Sequence, residues 1–189
     1  MNATSNMKIE LIAAGAQLQP VIKNLARFYV YELSKYDDNQ SRSRIPEDGL
    51  YEAYDLYFHF DNYWGKPGYY PFIIRVQDEL AGFILINKNG SEPDIDWYMA
   101  EFFVISKFQG KGIGQDIAIQ AFNKFSGIWE VMQIPGNTPA IKFWHTVVNK
   151  YTNGQFSETR KIILEPKPHE MVVLKFDSSL FWKTIEGAK

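Results

Sequence analysis

The chain has no cysteine among its 189 residues. That excludes disulfide stapling, thiolate nucleophiles and cysteine-based metal sites. Histidine is scarce. His59, His145 and His169 are scattered without H-x-x-x-H spacing, so no metal site is expected. Long apolar runs are missing too: none reaches the roughly 18 residues that a membrane span needs. The N-terminal MNATSNMKIELIAAGAQ has only a short apolar run, preceded by Lys8, and does not read as a secretory signal. The expected compartment is the cytoplasm. Charge of one sign is also lacking, with 22 acidic and 20 basic side chains and a formal charge of -2. This balance argues against nucleic acid as a partner. With no composition break, repeat or low-complexity segment, residues 1–189 read as one domain with a core over roughly 8–177.

Apolar and aromatic side chains are plentiful, at 46% and 16% of the chain. The stretch WYMAEFFVISKFQGKGIG, Trp97 to Gly114, is the most informative. Its first half is apolar, aromatic and β-branched, as in a buried strand. Its second half carries Gly110, Gly112 and Gly114 around Lys111. Ile117, Ala118, Ala121, Phe122 and Phe125 then follow at helical spacing. A Gly-rich turn opening a helix points backbone N–H groups and the positive end of the helix dipole at one spot, which suits a phosphate. The glycines run G-x-G-x-G, not the dinucleotide G-x-G-x-x-G. Lys111 is followed by Gly112, so the Walker hydroxyl is missing. A tight turn built for close strand–helix contact is the alternative.

Periodicity places the remaining elements. Residues 8–14 read as a strand and 18–36 as a helix. Residues 37–49 are a polar loop, and 50–63 an aromatic-rich helix. Strands follow at 69–76 and 80–87 as a hairpin, and at 95–105. A helix spans 112–125 and a strand 127–134. Asn137 or Thr138 caps the next helix, with Pro139 in its first turn. Two strands, 160–164 and 171–176, precede a short terminal helix after 178. The order β-α-α-β-β-β-α-β-α-β-β implies an α/β (α+β) domain: a mixed sheet with helices on its faces.

In this order two further elements resemble the GCN5-related N-acetyltransferase (GNAT) superfamily. Val104, Gln109, Gly112 and Gly114 match its V-x-x-x-x-[QR]-x-x-G-x-[GA]. Asn137, Ala140, Phe143 and Trp144 match its N-x-x-A-x-x-F-[YW]. The resemblance covers roughly residues 8–177 and is to small bacterial-type acetyltransferases. It implies a twisted, mostly antiparallel sheet that splays at the site of acetyl-CoA. It also implies that Gln109, Gly110, Lys111, Gly112, Ile113 and Gly114 wrap the pyrophosphate. Phe103, Val104 and Ile105 would pair main-chain groups with the pantetheine arm. Asn137 would lie near that arm or the leaving sulfur, with helix capping as its plainer role. Trp144 would pack against the arm or the core.

Acetyl transfer to an amine needs a base, an oxyanion donor and, in some cases, an acid for the departing thiolate. Glu101, alone in the apolar MAEFFV, is the candidate base, directly or through a water; Asp96 is the second candidate. Many family members carry a tyrosine acid where this chain has Trp144, and an indole cannot supply a proton. Tyr151, His145 or no protein acid are the alternatives. The acceptor side would draw on the 37–49 loop and the 50–63 helix. Asp37, Asp38, Glu47, Asp48, Glu52 and Asp55 give it an acidic bias that suits a cationic small-molecule or peptide amine. A homodimer is left open. A non-catalytic acyl-CoA sensor on the same fold is the competing reading.

Overall fold

The computed structural model describes residues 7–36, 45, 47–49, 51, 60–164 and 168–181. Seven strands form one sheet among these residues: β1 Ile9–Ala13, β2 Tyr69–Val76, β3 Glu79–Asn87, β4 Trp97–Val104, β5 Ile128–Gln133, β6 Ser157–Ile163 and β7 His169–Asp177. Four helices flank it: α1 Gln19–Leu33, α2 Phe60–Gly65, α3 Ile113–Lys124 and α4 Thr138–Thr152. The chain order matches the periodicity reading. The expected 50–63 helix lies largely outside the described residues, which include only its end, in α2. The tail beyond Phe181 and most of the 37–49 loop also lie outside.

The strand order is β1-β2-β3-β4-β5-β7-β6. Every pair is antiparallel except β4 with β5. β3 lies near the middle and is buried on both faces, which is why ELAGFILIN is apolar almost throughout. Its side chains alternate between two cores. Ile84 and Ile86 join Phe122, Trp129, Ile113, Ile117 and Val148 beneath α3 and α4. Phe83 and Leu85 join Ile22, Leu25, Ala26 and Val30 of α1 on the other face. The α1 residues recur at intervals of three and four, so one stripe of that helix is buried.

Two features of β4 position the site. First, its parallel pairing with β5 covers only Trp97–Met99 against Trp129–Val131. Beyond Met99 the two strands part. Second, the β3–β4 register shifts: Leu85 faces Glu101, but the next residue, Ile86, faces Met99. Ala100 is the extra residue of a β-bulge. Strict alternation from buried Met99 would send Glu101 to the α3/α4 core. The bulge turns it to the α1 face, together with Phe103.

The α1 face carries a second fixture. The fully buried Glu130 carboxylate on β5 accepts from the Ser91 N–H at 2.7 Å and its hydroxyl at 2.5 Å. Lys161 bridges Glu130, Ser91 and Glu92, and Lys175 bridges Glu92 and Asp94. These bonds fasten the β3–β4 connection over β5, β6 and β7. Two lysines hold the Glu92 carboxyl down at about 2.

Candidate active site

A cleft of about 850 Å³ runs from the C-terminal part of α1 across the end of β4 to the Gly turn and α4. Of the residues singled out in the sequence, Phe103, Val104, Gln109, Gly110, Gly112, Gly114, Asn137 and Trp144 line it. Glu101, Ile105, Lys111 and Ile113 do not. Ile113 is fully buried in the α3/α4 core, because the first turn of an amphipathic helix must face inward. Lys111 points to solvent.

The turn is built for main-chain recognition. Gly112 caps α3 in the left-handed region, at φ 79°, where only glycine sits without strain. No side chain caps the N–H groups that open this helix. A Cβ on Gly114 would come within 3.2 Å of the Phe143 ring, so the glycine also brings α3 close to α4. The Gln109 amide turns back and donates to the Val104 carbonyl at 2.7 Å. It ties the turn to the strand end, a job not foreseen for it.

The strand edge is available as well. The Ile105 N–H donates to the Ala81 carbonyl at 2.8 Å, so that amide already has a partner within the protein. In an antiparallel ladder, main-chain groups alternate sides. Those of Phe103 therefore also face β3, and those of Phe102 and Val104 face the gap that β5 leaves. At the end of β5, past its last pairing with β4, the buried Gln133 amide has no protein partner for its nitrogen or its oxygen. An anionic, extended ligand bearing amides fits this set: helix N–H groups without a side-chain cap and an open strand edge.

α4 brings a capped start and a buried aromatic face, both among the expected alternatives. Asn137 is its N-cap, and its Oδ1 accepts from the Ala140 N–H at 3.2 Å. Trp144 is buried and meets Phe102 at 4.9 Å and Phe143 at 5.0 Å between ring centroids. His145 is exposed on the outer side, beside Glu158 and Phe156. Tyr151 donates to Asn123 at 3.0 Å and packs on Phe122, and burial pushes its phenol up to about 12. Neither His145 nor Tyr151 lines the cleft.

Glu101 is half-buried, yet protein atoms surround its carboxyl more than water does. Desolvation pushes its pKa from 4.5 up to about 8, opposed by the polar influence of Tyr29. Tyr29 comes from α1 and was not singled out in the sequence. Its place in the apolar spacing of that helix gave it the look of a core residue. Burial first, and then the Glu101 charge, raises its phenol well above the usual range. Tyr98 on β4 and Tyr63 on α2 are raised by burial and by the same carboxylate. Asp96 is engaged elsewhere: it accepts from the Ile128 N–H at 2.9 Å, at the opposite end of β4. Of the acidic residues expected on the acceptor side, Glu47 and Asp48 are exposed. Asp37, Asp38, Glu52 and Asp55 lie outside the described residues. Among those described, no group of three or more histidine or carboxylate side chains could hold a metal. No helix there is long and apolar enough to cross a membrane.

The sequence model of the Acetyltransferase (GNAT) family matches residues 32–147. The chain belongs to that family, whose acyl donor is acetyl-CoA. A search of curated proteins found no match. Similar solved structures include an aminoglycoside N(6')acetyltransferase from Legionella pneumophila, at 14% identity and a TM-score of 0.57, covering 96% of this chain and 99% of that one. An acetyltransferase from Thermus thermophilus has 12% identity and a TM-score of 0.57, covering 90% and 97%. RimL, a ribosomal L7/L12 alpha-N-protein acetyltransferase in complex with coenzyme A, has 13% identity and a TM-score of 0.53, covering 94% and 98%. At these identities the likeness is one of fold.

Proposed function

We propose that the protein transfers an acetyl group from acetyl-CoA to a primary amine by direct attack, with Glu101 as the base. The observation that carries this reading is Glu101 itself. It is a desolvated carboxyl that a β-bulge turns toward α1, on the strand whose free edge and Gly turn line the cleft. When bound, acetyl-CoA supplies an acetyl group activated as a thioester. The N–H groups at the start of α3 would hold its phosphates, with Gly110, Gly112 and Gly114 keeping side chains out of the way. The outward main-chain groups of Phe102 and the Val104 N–H would align its amide-bearing arm, the Val104 carbonyl being taken by Gln109. Glu101, ionised, accepts a proton from the amine, directly or through one water. α4 offers Trp144, which has no proton to give, so the thiol released would draw its proton from solvent.

The relatives named above act on an aminoglycoside and on a ribosomal protein, both of which carry amines. That supports the acceptor class and does not choose within it. The test is release of free CoA from acetyl-CoA with a panel of amines, comparing wild type with Glu101→Gln. Amine-dependent release that the substitution abolishes is expected. Equal rates across pH would remove Glu101 from the role. A second reading, an acyl-CoA sensor, draws on Trp144: tight CoA binding with no turnover on any amine would favour it.

A further inference from the structure

The sheet ends differently on its two sides. The edge strand β1 is only five residues long. α3 lies against it, and the Gln120 amide donates to the Ile9 carbonyl at 3.3 Å. That is a covered edge. The other edge strand, β6, pairs with β7 from Ser157 to Ile163 without a register shift, and it contains neither proline nor bulge. Among the described residues no strand lies along its outer side. Ser157, Glu158, Thr159 and Arg160 are exposed, and Ile162 is 60% exposed. An open, unbroken edge is a template for another strand. We propose that β6 is the interface of a homodimer, in which the β6 strands of two copies pair antiparallel about a two-fold axis at Thr159 and join the two sheets edge to edge.

Geometry restricts the register. Main-chain groups of β6 point alternately to β7 and outward, so antiparallel pairing sets residues of like parity opposite each other. With two-fold symmetry the axis then passes beside a single residue. An axis at Glu158, Arg160 or Lys161 would set that charge against its own copy, which disfavours pairing. An axis at Ser157 or Ile162 would leave Glu158 and Arg160 facing uncharged residues. An axis at Thr159 sets Glu158 opposite Arg160 of the partner subunit, twice, and Phe156 opposite Ile162 of the partner subunit, twice. These four positions share one face of the strand. His145 of α4 meets Phe156 at 5.3 Å between ring centroids and Glu158 at 4.0 Å, so that face is the α4 face. Lys161 reaches the other face, to Ser91 and Glu92 of its own subunit. Arg160 donates through Nη1 to Glu170 of its own β7 at 2.7 Å, and a guanidinium has further N–H groups for a second carboxylate. Charges guard an edge when they repel a like strand. Placed either side of Thr159, Glu158 and Arg160 attract one.

Two single variants of the full chain test this. Glu158→Arg makes both flanks of Thr159 positive, and Arg160→Glu makes both negative. Each alone should be monomeric by sedimentation at a concentration where wild type is dimeric, its Kd raised by about tenfold or more. Mixed in equal amounts, the two should restore the dimer, because each meets its complement. Wild type that stays monomeric at roughly 0.1 mM would overturn the proposal and leave the edge to a strand of a different protein. A variant that dimerises as tightly as wild type, or a mixture that stays monomeric, would overturn it too. If Arg160→Glu does not fold beside Glu170, Thr159→Cys reads the axis directly, since the chain has no cysteine of its own. Across the axis the two Cβ atoms come within disulfide reach. Thr159→Cys should oxidise to a covalent dimer at least about tenfold faster than Ser157→Cys, which faces Lys161 of the partner subunit. Equal rates would overturn the proposal. None of these readouts depends on turnover.

Discussion

The two walls of the cleft are made of different material. On the α3 side main-chain groups are on offer, helix N–H groups behind Gly110 and Gly112 and the outward edge of β4, beside side chains of α4 such as Asn137 and Trp144. On the α1 side the groups are side chains, Tyr29 and Phe103, with Glu101 behind them. Main-chain recognition requires only that nothing obstruct it, so that wall is specified by absent side chains. Side-chain recognition requires several elements to converge, so that wall depends on α1, α2, β3 and a one-residue irregularity in β4. The first wall suits a donor that is always the same molecule. The second can be remade for a different acceptor without disturbing the first.

If the walls are separable, substitutions should divide cleanly between donor affinity and the pH dependence of turnover. The largest effect is expected from Glu101→Gln: a loss of about 10²–10⁴-fold in kcat/KM, with the Kd for CoA unchanged by calorimetry. In wild type, kcat/KM should climb with pH and level off above about 8, since only the ionised carboxylate accepts a proton. Gly112→Val should raise the Kd for CoA by about tenfold or more, through the strain of a β-branched residue at positive φ. It should leave the acid limb in place; a shifted limb would mean the walls are coupled.

Stability provides a third, smaller test. The folded pKa of Glu101 lies above its ordinary 4.5, so the folded state holds the proton more tightly. Its contribution to stability is full below about 4.5 and is lost as pH rises through about 8. Above that range Glu101→Gln should therefore be more stable than wild type, by at most about 5 kcal/mol, and below about 4.5 the two should be equal. Chemical denaturation at several pH values would measure the difference. Asn137→Ala should have the smallest effect, about 1 kcal/mol of stability from the lost cap. Its acid limb should coincide with that of wild type.

This asymmetry explains what could be read from residue order. The Gly turn was legible because a tight strand–helix turn at positive φ demands glycine, and glycine is visible in a sequence. The element order was legible because the buried faces of α1, α3 and α4 recur at three and four residues. The bulge at Ala100 was not: alanine has no bulge signature, yet it decides which face Glu101 takes. Glu101 stood out only as a charge in an apolar strand. Tyr29 looked like one more apolar helix position, because the rings it meets, Phe83 and Phe103, lie on strands far along the chain. His145 and Tyr151 were open as acids because adjacency in sequence was the only guide. The helix turn carries the first outward, and packing on Phe122 carries the second toward α3. The β3–β4 tether through Glu130 left no sequence trace, since its lysines come from β6 and β7.

The parting of β4 from β5 after Met99 has a thermodynamic consequence. A sheet interrupted near its centre leaves rungs that a ligand could supply from solution. A ligand that fills the gap binds the folded chain and not the unfolded one, so folding and saturation are linked. At a hundredfold excess over Kd the folded state would gain about 2.7 kcal/mol. Melting temperature should then track CoA concentration even in Glu101→Gln, which separates occupancy from turnover. The abundance of the donor would set how much of the chain stays folded as well as how fast it reacts.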